Sequence, residues 1–84
     1  MAEVYTSDLA QEAIEELPPM SREAVERAKQ YLRNFPEMYP LIAQGEYRGK
    51  RRIPIRPYYL VLYVVYGEHR NCFVTDVLDA RRRL

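Results

Sequence analysis

At 84 residues the chain has room for one domain and too little bulk for a deep cleft around a large cofactor. Its 48% apolar content, with eight tyrosines, suits a packed core and excludes disorder as the default. The formal net charge of +1 hides a split. Residues 1–46 hold nine acidic and four basic side chains, residues 47–84 three acidic and nine basic, so the second half is suited to an anionic partner.

In chain order, residues 1–5 form a candidate opening strand. Ser7 is suited to cap a helix whose first turn carries Asp8. Leu9, Ala10, Ala13, Ile14 and Leu17 then recur at helical spacing until Pro18 and Pro19 end the run. Ser21 is expected to cap a second helix with the apolar stripe Val25, Ala28, Leu32 and Phe35, closed by Pro36. The two make a helical hairpin. The opening segment "MAEVYTSDLAQEAIEEL" is acidic and amphipathic and lacks the features of a signal peptide, which leads to the expectation of a cytoplasmic protein with no membrane association.

Residues 36–49 contain two prolines and two glycines and read as a connection. Three strands follow. From Lys50 to Arg56 the pattern alternates, with Arg51, Ile53 and Ile55 on one face and Lys50, Arg52, Pro54 and Arg56 on the other. Tyr58 to Tyr66 is apolar on both faces, which places it in the middle of a sheet. "GEHRN" is a hairpin loop, and Cys72 to Leu78 the last strand. Cys72 has no second cysteine to pair with and reads as a small core residue; His69 reads as a solvated turn residue. No metal site and no cofactor are expected.

The predicted plan is α+β, β-α-α-β-β-β, an N-terminal helical hairpin packed on one face of a small antiparallel sheet. Helices cover one face only, while the central strand is apolar on both. The second face therefore needs a covering from another polypeptide, from the C-terminal end, or from a second copy as a homodimer.

Three blocks carry a resemblance to a known family: the basic strand "RRIPIR", the aromatic strand "YYLVLYVV", and the closing "VTDVLDARRRL". Their order and spacing resemble the RelE/ParE superfamily of toxins from type II toxin–antitoxin systems, often called plasmid stabilisation proteins. The likeness spans residues 1–84 as a single domain and is strongest from Gly49 onward. It implies a cognate antitoxin as partner and one of two targets.

RelE-like members cut messenger RNA on the ribosome without a metal; ParE-like members poison DNA gyrase instead. The ribonuclease branch implies catalytic roles for Lys50, Arg52, Arg56 and Arg81. Such chemistry needs a base, an acid and cations around the scissile phosphate. Leu60 falls where that branch carries a third-strand arginine, and Asp79 where many toxins have histidine, so the resemblance favours a ParE-like toxin, with the enzyme as the alternative. A toxin-fold protein without toxicity, or a plain nucleic-acid binder, is the third reading. The expected binding surface for antitoxin or target is Lys50, Arg51, Arg52, Arg56, Tyr59, Tyr63, Arg81, Arg82 and Arg83, with arginine forks taking carboxylates and the aromatic strand taking apolar side chains.

Overall fold

The computed structural model describes residues 1–81, and Arg82 and Arg83 lie outside the described residues. Six elements follow in chain order: β1 (Val4–Thr6), α1 (Asp8–Glu15), α2 (Pro19–Asn34), β2 (Arg51–Ile55), β3 (Tyr59–Tyr66) and β4 (Asn71–Asp79). The sheet order is β1-β4-β3-β2. β2, β3 and β4 form the expected antiparallel meander. β1 departs from the antiparallel expectation: it lies parallel to β4, Val4 opposite Cys72 and Thr6 opposite Val74. The two-helix excursion supplies the long connection that lets the chain's beginning re-enter the sheet in that direction.

Ser7 caps α1 as its residue type predicts, its extended backbone leaving Oγ 3.1 Å from the Ala10 N–H. Arg22 closes the other end by donating to the carbonyls of Glu15 and Leu17. Pro18 is the residue before α2 and Pro19 its first residue, where the missing N–H costs nothing.

Ser21 is consequently not the cap. It sits in the first turn of α2, 1% exposed, and its hydroxyl donates to the Arg56 carbonyl at 2.7 Å. The apolar stripes are also shorter than expected. Leu9 is 77% exposed, and Phe35, whose backbone has left the helix, is 62% exposed.

The core lies between the helical hairpin and one sheet face. Ala10, Ile14 and Leu17 of the α1 region and Val25, Ala28 and Leu32 of α2 meet Ile53, Ile55, Val61, Tyr63, Cys72 and Val74. Cys72 is buried there, as its apolar setting suggested, and burial pushes its thiol above the usual range.

Residues 36–50 fold back along the free edge of β2. Ile42 donates to the Lys50 carbonyl at 2.8 Å, Arg52 to the Pro40 carbonyl at 3.1 Å, and Leu41 bridges Arg51. An edge that would otherwise offer unpaired backbone groups is thereby partly covered.

Candidate functional site

The sheet face turned away from the helices carries the candidate site, and a bulge decides what stands on it. Leu62 lies opposite Asp76 and Tyr63 opposite Val74, so Thr75 is an extra residue in β4. Side chains alternate along a strand, and one inserted residue reverses the alternation beyond it. Val74 and Val77 therefore both face the helices, while Asp76 turns to the open face beside Leu62.

There Asp76 meets Lys50. The ammonium lies 2.6 Å from the carboxylate and 3.0 Å from the Thr75 hydroxyl, which itself donates to Asp76 at 2.7 Å. Burial alone would raise the Asp76 carboxyl; the hydrogen bonds from Lys50 and Thr75, and the lysine charge, outweigh it and hold the carboxyl below its ordinary value. Lys50 and Asp76 belong to the two sides of β3, so their ion pair crosses that strand at Leu62, which is 0% exposed although it faces away from the helices.

At one end of this face lies an aromatic patch. Tyr5 and Phe73 are cross-strand neighbours, 49% and 37% exposed, and Tyr66 is 45% exposed. Together with Val64 and Asn71 they line a shallow depression of about 600 Å³. Arg52, opposite Leu62, stands on this face, and Arg56 follows in the turn after β2; both are exposed and without an ion-pair partner among the described residues.

Arg81 is arranged differently. Its Nε and Nη2 reach the two carboxylate oxygens of Asp79 at 3.1 and 2.8 Å, and its guanidinium carbon stands 3.7 Å from the Tyr58 ring centre. Asp79 is itself fixed by the Arg81 backbone N–H at 3.0 Å. Hydrogen bonding to Asp79 raises the Arg81 pKa above its ordinary value.

Lys50 and Arg52 thus take the outward positions that alternation predicted, while Arg56 is exposed in the turn just past β2. Three other expected binding residues do not share that face. Arg51 points to the helix side and donates to the Glu37 and Tyr39 carbonyls at 3.2 and 2.8 Å. Tyr63 is 0% exposed, donates to the Pro36 carbonyl at 2.7 Å and packs edge-on against Tyr39. Tyr59, opposite Ile55 and Asp79, packs against the core from the same side. The open-face phenols are instead Tyr5 and Tyr66, found only once the strand register is known.

The chemistry available is that of a cationic and aromatic binding face more than of an acid–base centre. His69 is exposed in the turn 67–70, at the end of β3 opposite to Arg56, as a turn residue was expected to be. Among the described residues no group of three or more His, Cys, Asp or Glu side chains is arranged to hold a metal ion. No helix among them is long and apolar enough to cross a membrane.

No protein-family model and no curated protein matches the sequence. Solved structures do. A chain of the intact E. coli RelBE toxin–antitoxin complex superposes with a TM-score of 0.78 at 20% identity, covering 98% of this chain and 100% of that one. The isolated E. coli RelE toxin gives 0.80 at 19% identity over 99% of this chain and 88% of that one. A chain of the archaeal RelE–RelB complex from Pyrococcus horikoshii OT3 gives 0.72 at 16% identity over 98% of both. At these identities the likeness establishes the fold: two helices on a four-stranded sheet, as in RelE.

Proposed function

We propose that this chain is the toxin half of a type II toxin–antitoxin pair, restrained by an antitoxin segment that lies on the open sheet face. The observation that carries the reading is a full-length match to the RelE fold in a chain whose helices cover one face of the sheet only. Tyr5, Tyr66 and Phe73 give that segment an apolar seat, and Arg52 and Arg56 give it partners for carboxylates.

Between the two targets, the similar structures are RelE proteins, alone or with RelB, and lend no support to the gyrase branch that "PYYLVLYVV" suggested. A RelE-like action on ribosome-bound messenger RNA therefore becomes the leading reading. Its cations would be Arg52 and Arg56 first, with Lys50 and Arg81 engaged by carboxylates in the present geometry.

Controlled expression in a bacterium tests this. Growth should stop and transcripts should be cut, with rescue by the adjacent antitoxin frame. Unimpaired growth with soluble protein present overturns the toxin reading. Arrest with intact transcripts and blocked supercoiling transfers the target to gyrase.

A further inference from the structure

Two of the four cations that a phosphate-handling role would draw on are already held by acids of the same chain. Both acids stand on β4, Asp76 against Lys50 and Asp79 against Arg81. We propose that Asp76 and Asp79 are internal substitutes for phosphate, withholding Lys50 on the open face and Arg81 at the end of β4 from a single-stranded RNA backbone and keeping the affinity of the chain for it low. The choice of RNA as ligand rests on the RelE-like reading; the withholding itself rests on geometry alone.

The Arg81 contact is the more telling of the two. A guanidinium edge that meets two carboxylate oxygens at 3.1 and 2.8 Å is making the paired contact it would make to a phosphodiester. The carboxylate and a phosphate are therefore competitors for the same donors. Tyr58 beneath the guanidinium and the Arg81 N–H on Asp79 Oδ1 fix both partners, so the contact is not a chance encounter of two mobile side chains.

At Lys50 the competition is for charge. The ammonium has Asp76 at 2.6 Å and Thr75 at 3.0 Å, and Asp76 owes its outward direction to the bulge. Regular pairing continued from Val74 without the bulge would set Thr75 opposite Leu62, turn the Asp76 carboxylate toward the core side and leave Lys50 unaccompanied. Arg52 and Arg56 have no such neighbour among the described residues, which leaves them as the basal contacts.

The test uses the full chain and fluorescence anisotropy with a short fluorescein-labelled oligouridine. Asp79→Asn retains one oxygen for the Arg81 N–H and replaces the other, with the charge, by an NH2 to which the guanidinium cannot donate; Asp76→Asn likewise keeps an oxygen for Thr75. Each should bind about fivefold more tightly in about 50 mM salt and steepen the slope of log affinity against log salt by roughly 0.7, the value for one further phosphate contact on a single strand. Adding Arg81→Ala to Asp79→Asn should cancel the gain. Glu68→Gln, in the turn at the opposite end of β3, makes the same change in net charge and should leave affinity within about twofold.

The proposal is overturned if Glu68→Gln gains as much as Asp79→Asn, if the gain survives Arg81→Ala, or if neither asparagine variant gains. Thermal melts confirm that each variant is folded. Because the readout is binding in solution, its failure leaves the growth-arrest test of the toxin reading untouched, and the reverse also holds.

Discussion

Ser21 separates two accounts of how α2 is anchored. If the serine capped the helix, aspartate would replace it with little change, since the two are about equally good caps. In the structure it is in the first turn, 1% exposed, with its hydroxyl proton directed at the Arg56 carbonyl 35 residues away. Ser21→Ala removes that donor and leaves the carbonyl without it, a loss of about 1–2 kcal/mol. In a domain of this size each kcal/mol lowers Tm by roughly 4–8 °C, so a fall of about 5–15 °C is expected.

Ser21→Asp is the sharper probe. A carboxylate there has no proton to give, faces a carbonyl oxygen and loses its water. The helix dipole returns only about 0.3–1 kcal/mol, against a desolvation cost of several kcal/mol. The aspartate variant must therefore be less stable than the alanine variant. Urea unfolding followed by far-ultraviolet circular dichroism at neutral pH ranks the three proteins. An aspartate variant as stable as the parent refutes the buried-donor account and restores the cap.

Tyr63→Phe removes the bond to the Pro36 carbonyl and should cost about 1–2 kcal/mol in the same assay. Burial pushes the Tyr63 phenol up to about 12, so its contribution is complete below the ordinary value of 10.0 and is lost as pH rises through about 12; the phenylalanine variant should lack that part of the alkaline loss. Asp76 has the opposite sign: its carboxyl is held below 3.8, so its contribution is present above that pH and disappears as pH falls through the lower folded value. Acid unfolding of Asp76→Asn should be flatter than the parent's below about pH 4, and identical curves would remove the Lys50 contact from the account of stability.

The helices, the meander and the exposed arginines were legible because their signals are local. Ser7, the Pro18-Pro19 pair and the alternation around Ile53 and Ile55 each act within a few residues. β3 was legible as a strand but not as a pair of faces. Tyr59, Val61 and Tyr63 face the helices while Leu60, Leu62 and Val64 face away, and with every one of them apolar the alternation has no contrast to read. That is why Tyr63 was expected on the binding surface and is found in the core.

The direction of Asp76 was hidden for a different reason. It depends on an extra residue at Thr75, and a bulge is a property of two strands together. Ser21 and Arg56 likewise meet only after the fold has brought them together. Leu9 and Phe35 satisfied the helical spacing and still lie outside the core, since periodicity says which side of a helix is apolar and not how far its neighbours extend.

The parallel seating of β1 beside β4 sets an order of events during biosynthesis. Val4 emerges 68 positions ahead of Cys72, its counterpart. Until then Ile14, Val25 and Leu32 have only the part of their floor that β2 and β3 supply, Ile53, Ile55, Val61 and Tyr63, and lack Cys72 and Val74. The nascent chain is thus an intermediate with part of its core uncovered until β4 arrives, and the complete four-stranded sheet is acquired in one late step.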